Sequence, residues 1–372
     1  MKLIQDMDDI ESAIRKRHCR NVLVLSNGGV DSIYLVRQLS RLDCRVTIFS
    51  VDLGGGLKRE RLHQIADYFD VGFKLVEAKA AFVQDAVLPS LRACALVSRN
   101  HPVGASLSRP IIARHAVEFA RKNFFDAILF TANPAHQAQA QLQNCLQSLR
   151  YPGYVGAPVG GEDLSFAQRK MQMGAIGLLQ DETCISEKSS LWCRKTEFWA
   201  DGEGQDFFAR ESLFRWSTRF NTVDRNQLTL TFSAGVPTHL DGVRMDLVPL
   251  IERLNHLVGA SMVGRYSLKD YRVRGGRVLE LREAPAAIAL IRSLHFLMYR
   301  CKQREQWLQR KTIAQSWLEE VEAGRWFGVF KQSLGAFLET VARDVSGTVH
   351  LSFDNGCLRF RLSQQKPLSL VY

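Results

Sequence analysis

Residues Asn21 to Leu39 read N-V-L-V-L-S-N-G-G-V-D-S-I-Y-L-V-R-Q-L, and this stretch decides the fold. Val22 to Leu25 is a short continuous apolar run, the pattern of a strand buried on both faces. Asn27-Gly28-Gly29 reads as a turn. Asp31-Ser32 then opens a segment with apolar Ile33, Leu35, Val36 and Leu39, which is helical spacing. Strand, glycine turn and helix start is the geometry that points backbone N–H groups at an anion. Two glycines let the backbone approach phosphate closely, because no Cβ intervenes. Asp31 is then placed to hold Mg²⁺ on the phosphates, and Ser32 adds a hydroxyl donor. No Gly-Lys-Ser/Thr follows and there is no G-x-G-x-x-G, so neither the Walker nor the dinucleotide reading applies. The plain alternative is a βα turn with an aspartate cap.

The flanking sequence extends the pattern. Arg45 to Val51, Phe73 to Val76 and Ala127 to Thr131 read as further buried strands. Helices are expected at Ile4–Lys16, Leu57–Phe69, Phe82–Val97 and Pro110–Lys122, the last with proline at its first position. Strands alternating with helices imply an α/β fold with a parallel sheet. Ligands bind such sheets at the carboxyl ends of the strands, where Asn27 to Ser32, Val51-Asp52 and Thr131 to Asn133 fall. Arg150 to Asp163 is rich in Gly and Pro and reads as a loop, and Leu164–Met173 as a short helix. The pattern changes near Leu178–Asp181, which divides the chain into residues 1–180 and 181–372. The second part reads as α+β. It has a strand at Gln227–Ser233 turned by Gly235-Val236-Pro237, hairpins about Gly275-Gly276 and Asp354-Asn355-Gly356, and helices at Leu247–Leu257, Ala286–Arg300, Glu305–Glu322 and Phe327–Arg343.

Bulk properties narrow the class. The 372 residues suffice for two sizeable cores, and 46% hydrophobic with 23% charged is ordinary for a soluble protein. No apolar run approaches the roughly 18 residues of a membrane span, and Met1 to Arg20 lacks the apolar core of a secretory signal, so a cytoplasmic protein is expected. The eight cysteines are scattered, without a C-x-x-C pair or zinc spacing, and read as free thiols. The net charge of +11 is spread along the chain rather than blocked. It fits a basic surface with a site for anionic ligands better than a nucleic-acid partner.

The loop at Asn27 to Ser32 resembles the S-G-G-x-D-S loop of the PP-loop ATP pyrophosphatases, with Asn27 in place of the first serine. Further segments are similar to argininosuccinate synthase. Gly104 to Ala113 (G-A-S-L-S-R-P-I-I-A) resembles that family's G-T-S-L-A-R-P-x-I-A. Gly264 to Pro285 runs without a gap against its G-R-I-D-I-V-E-N-R-x-x-G-x-K-S-R-G-x-Y-E-x-P. Phe232 to Val236, Leu254-Asn255, Cys184 to Glu197 and Pro367 to Leu370 match in order. The resemblance covers nearly the whole chain. It implies a PP-loop ATP-binding domain over 1–180, and a synthetase domain for substrate and oligomerisation over 181–372. It also implies adenylation of an oxygen by ATP, then displacement of AMP by an amine, with Mg²⁺ bound through ATP and Asp31.

Carried over residue by residue, the resemblance places Leu25, Ser26, Asn27, Gly28, Gly29, Asp31, Ser32, Val51, Thr131 and Ala132 around ATP. It gives Asp31, Ser32 and Arg109 catalytic roles. His101, Ser106, Asn133, Gln137, Gln141, Ser186, Lys195, Asp270 and Arg282 surround the substrates. Here the sequence departs from the family. A tyrosine becomes His101, a threonine Asn133, an Asn-Asp pair Gln137-Ala138, an arginine Gln141, a serine Lys195, a glutamate Asp270 and a second tyrosine Arg282. The simple alternatives are a structural His101 and a solvated helix face carrying Gln137 and Gln141. The expected function is an ATP-dependent C–N ligase of specialised metabolism. It acts on a ureido, amide or carboxylate oxygen of a small amino-acid-like substrate. A true argininosuccinate synthase, a PP-loop tRNA-modifying enzyme and an inactive binding protein are the competing readings. The chain stops at Tyr372, soon after P-L-S-L, where the family continues into an arm that braces a tetramer, so a dimer is expected.

Overall fold

The computed structural model describes residues 2–98, 100–131, 137–161, 166–178, 186–199, 211–218, 225–271, 277–301 and 304–362. The first half runs β1 (Lys2–Ile4), α1 (Met7–Arg15), β2 (Asn21–Leu25), α2 (Val30–Leu39), β3 (Arg45–Asp52), α3 (Arg59–Phe69), β4 (Gly72–Glu77) and α4 (Lys79–Phe82). A π turn (Val83–Val87) leads into α5 (Leu88–Ala93), followed by β5 (Leu96–Val97), β6 (His101–Pro102), α6 (Ala105–Lys122), β7 (Ala127–Leu129), α7 (Gln137–Ser148), β8 (Tyr154–Gly156) and α8 (Phe166–Gly174). The order β1-β8-β7-β2-β3-β4 makes one sheet of six strands, parallel throughout. This is the α/β architecture expected.

Alternation in β2 shows why its run is apolar. Val22 and Val24 join the cluster of α1, α2, α3 and α8, while Leu23 and Leu25 join the opposite one, with Ile111 of α6 and Leu146 of α7. The chain leaves β2 for β3 and β4 on one side and later returns as β7 on the other. The sheet order therefore reverses at the end of β2, where open α/β sheets keep their ligand crevice.

Four expectations are corrected. The helix foreseen at 82–97 starts at Lys79, carries the π turn, and stops at Cys94, whose φ of 48° is left-handed. Pro110 is inside α6 and not at its start; Gly104 precedes the helix, and the ring deprives only the Ser106 carbonyl of its donor. The Gly/Pro-rich stretch 150–163 hides β8. Its Gly156 serves close approach and not a turn, because a Cβ there would lie 2.0 Å from the Ile4 carbonyl oxygen. With β1 this adds two strands to the four that were read. Gly235-Val236-Pro237 likewise leads directly into a strand.

The second half comprises β9 (Ser186–Ser189), β10 (Arg194–Trp199), β11 (Gln227–Ser233), β12 (Val236–Leu240), β13 (Val243–Arg244), α9 (Leu247–Gly259), β14 (Arg265–Tyr271) and β15 (Arg277–Glu283). α10 (Pro285–Cys301), α11 (Arg304–Glu322), α12 (Val329–Arg343), β16 (Gly347–Asp354) and β17 (Cys357–Leu362) complete it. Two antiparallel sheets result, β14-β15-β10-β9 and β13-β12-β11-β16-β17. Of the aromatics on the C-terminal helices, Trp307, Trp317 and Trp326 are buried, while Phe330 and Phe337 are exposed. The expected division at residue 180 falls among residues outside those described. One apolar core nevertheless runs from Leu23 and Phe49 of the first sheet through α6, α10 and α11 to Phe353.

The back of the four-stranded sheet is fastened by one buried carboxylate. Glu283, 1% exposed, accepts from the N–H groups of Arg215, Trp216 and Ser217 at 2.9–3.1 Å and from Ser217 Oγ at 2.7 Å, and it pairs with Arg194. Converging backbone N–H groups form a nest for an anion. Glu283→Gln leaves Arg194 with Glu187 alone as its described counter-charge and takes the charge out of the nest; it should cost about 1–3 kcal/mol in chemical denaturation. A loss within about 0.5 kcal/mol, the ordinary range for a surface change, would show that the pair is not holding the sheet.

Candidate active site

The glycine loop follows β2 as its sequence demands. Gly28 has a φ of +80°, which an L side chain avoids, and α2 begins at Val30 with no side-chain cap. The first N–H groups of a helix lack intrahelical partners, so this end is open to an anion. The loop is braced internally. Ser26 Oγ accepts from the Gly28 N–H at 3.0 Å and shares a 2.7 Å bond with Ser32 Oγ, and Ser32 Oγ donates to the Gly29 carbonyl at 2.9 Å. Ser32 is thus occupied in shaping the loop, a role its expected donation to phosphate did not include.

Asn27 bridges the two halves. Its Oδ1 accepts from the Gly29 N–H at 3.3 Å, and its Nδ2 donates to the Glu187 carbonyl of β9 at 3.1 Å. Asp31 is partly exposed at the loop mouth and pairs with Arg169 of α8 at 2.8 Å, a partner the sequence reading did not find. Val51 and Thr131, both partly buried, stand at the carboxyl ends of β3 and β7, beside the buried Leu25. Gly55 explains how closely the second half is seated: a Cβ there would lie 2.2 Å from the Ser189 backbone.

Two of the substrate candidates, Lys195 and Arg282, lie on the front of the four-stranded sheet. Register places Lys188, Lys195, Arg282 and Tyr266 side by side in one row across β9, β10, β15 and β14. The next row on that face includes Glu197 and Glu280. Lys195 bonds Glu197 Oε1 at 3.0 Å and also Glu280, which in turn receives Arg282. Burial works against the Glu280 carboxylate, yet Lys195 and Arg282 hold it below the usual range. Both glutamates are 5% exposed, and an alternating K-x-E and E-x-R is the signal that marks them in sequence.

Helix α6 faces this row. Ser106 lies one turn before Arg109, and Arg109 is within electrostatic reach of Glu197 and Arg282. Burial lowers the guanidinium pKa to about 10. Gln141 is 4% exposed, and both ends of its amide are used, accepting from Arg109 and donating to the Glu322 carbonyl. The solvated-face reading fails for Gln141, which ties α6 to the end of α11. His101 in β6 is 4% exposed, and its Nε2 has no hydrogen-bond partner among the described residues. Asp270 pairs with Val278 in the β14–β15 register. Ala132 and Asn133 lie outside the described residues, as do the side chains of Gln137, Ser186 and Asp270.

His101 carries a pH signature. Burial, with Arg282 and Lys195 adding to it against Glu280, lowers its pKa to about 4 from an ordinary 6.5. The unfolded imidazole therefore takes up a proton that the folded one refuses. Stability is lost as pH falls from about 6.5 towards 4, by up to about 3 kcal/mol from this group. His101→Gln should flatten that part of a stability-versus-pH curve, and an unaltered acid limb would place the titration elsewhere.

Two family models match in chain order. "Arginosuccinate synthase N-terminal HUP domain" covers residues 20–171, and "Arginosuccinate synthase C-terminal domain" covers 189–370. The argininosuccinate synthase of Dictyoglomus thermophilum is 28% identical over 339 residues, 89% of this chain and 84% of that protein. That of Dictyoglomus turgidum is 26% identical over the same length. An NMN synthetase structure from Francisella tularensis overlaps 46% of this chain and 68% of its own at 9% identity, with a TM-score of 0.33. On the matches to both halves, the chain belongs to the argininosuccinate synthase family, C–N ligases that use ATP and release AMP and pyrophosphate.

Proposed function

We propose that this enzyme adenylates a ureido, amide or carboxylate oxygen of a small substrate and couples the activated carbon to an amine, with a substrate pair other than citrulline and aspartate. The observation that carries this is the cationic row Lys188–Lys195–Arg282, which begins on β9, the strand that Asn27 ties to the glycine loop. Residues 1–180 would hold ATP and 181–372 would supply the substrate face.

The chemistry follows from placement. ATP seats its pyrophosphate on the N–H groups of the loop and of the first turn of α2, with the nucleoside towards Val51 and Thr131. Gly28 fits this role, since its positive φ makes the concave backbone that phosphate needs. The substrate oxygen attacks the α-phosphorus; an O–P bond forms, the α–β bridge breaks, and pyrophosphate leaves onto those donors. Preorganised donors aimed at developing charge lower such a barrier. The amine then attacks the activated carbon and loses a proton; a C–N bond forms, the C–O bond breaks, and AMP departs carrying the former substrate oxygen. Arg169 brings a cation to a loop that contains no lysine. Among the described residues no group of three His, Cys, Asp or Glu stands ready for a metal. Magnesium would therefore be held through the phosphates, with Asp31 as its protein ligand. When bound, it supplies charge neutralisation on the phosphate oxygens.

Asp31→Ala should reduce magnesium-dependent pyrophosphate release by orders of magnitude. Formation of ADP and orthophosphate by the native enzyme would overturn the reading. Citrulline with aspartate should be a poor pair, because Ala138 and Gln141 stand where the resemblance has charged groups. Each such contact is worth about 1.5–3 kcal/mol. Efficient argininosuccinate synthesis in a steady-state assay would instead establish the family's own reaction here.

A further inference from the structure

The substrate face has an unbalanced charge. Its described cations are Lys188, Lys195, Arg282 and Arg109, and its carboxylates are Glu197, Glu280 and, beside Arg282, Glu322. Like charges directly opposite on neighbouring strands repel, and here three stand in line. Glu197 and Glu280 meet Lys195 and Arg282 within the protein, and burial pushes Glu322 towards its neutral form. Arg109 is left with a neutral amide, Gln141, as its described partner. Glu197 reaches it only at a distance and is engaged by Lys195, and an arginine with no carboxylate at hydrogen-bond distance in a desolvated place is costly, while its fork is suited to an oxyanion. A second, independent sign is His101 Nε2, buried without a partner beside the same groups.

The geometry points to a substrate recognised through a carboxylate with no ammonium beside it, seated against Arg109 and Arg282 and hydrogen-bonded by His101 Nε2. This narrows the proposed ligase and rests on that reading. An ammonium would need a free carboxylate; among the described residues Glu197 and Glu280 are already engaged by Lys195 and Arg282, and Glu322 stands beside Arg282 with burial pushing it towards its neutral form. It would also stand among four cations. The substrate of this face is therefore an acid and not the amino-acid-like molecule expected from sequence.

Calorimetry on the full chain with matched probes tests this: succinate against aspartate, glutarate against glutamate, propionate against alanine, each pair differing by the ammonium. The tightest ligand should come from the ammonium-free set and bind at least tenfold better than its counterpart. Arg282→Ala should weaken it about tenfold to hundredfold, the range for a charged hydrogen bond. Arg282→Lys should recover part of that loss, and a melting curve checks that both variants fold. A tightest ligand that carries the ammonium, an Arg282→Ala protein with unchanged affinity, or no binding of any acid at millimolar concentration would each overturn the inference. ATP cleavage is read separately. Failure of the ligase reading shows as absent or differently placed ATP cleavage with acid binding intact.

Discussion

A strand cannot send two neighbouring side chains to the same face, and the second half of this protein depends on that constraint. Arg282 and Glu283 are adjacent. One reaches the front of the sheet among Glu280, Lys195 and Arg109, and the other reaches the back, where Ser217 and its neighbours close over it. Arg194 and Lys195 divide in the same way. The back face is a closed network of buried partners, so it fixes β10 and β15 rigidly. The front face inherits that rigidity and can hold a row of mutually repelling cations that a mobile sheet would splay apart.

The glycine loop is organised differently. Its side chains bond within the loop and brace it, and the first backbone N–H groups of α2 have no side-chain cap. Ser26 and Ser32 lock the turn, and Asn27 extends across to β9. An asparagine in place of a serine therefore reads as a change of contact as much as a change of phosphate chemistry. Its amide has an acceptor for the loop and a donor for the neighbouring strand, where a serine hydroxyl is too short to span both.

Much of the fold was legible because its signals were local. The apolar run before Gly28-Gly29, the alternation in Gln227–Ser233 and the turn at Asp354-Asn355-Gly356 are properties of a few consecutive residues, and each lies where it was read. The misreadings share another cause. Gly156 and Pro110 were taken as punctuation, yet the first makes room for Ile4 and the second sits in a helix that began earlier. Both answers are held by distant neighbours. The candidate site divides likewise: the glycine loop is contiguous and its strand–turn–helix geometry is as read, whereas Arg169 reaches Asp31 from 138 positions away. Gln141 was read as a substrate contact, with a solvated face as the alternative; Gly324 against its backbone and the Glu322 carbonyl on its amide rule out the solvated face.

The apolar core shared by both halves bears on how such a chain can change. Leu23 on one sheet and Phe353 on another belong to the same cluster, and Gly324 fits against the backbone of Gln141 with no room for a methyl group. Neither half carries a finished surface of its own. Grafting the first half of a relative onto this second half would strip matched apolar faces from both. Shuffling by recombination at the midpoint is thereby disfavoured, and change is easier by replacing side chains in place while the seam between the halves stays fixed.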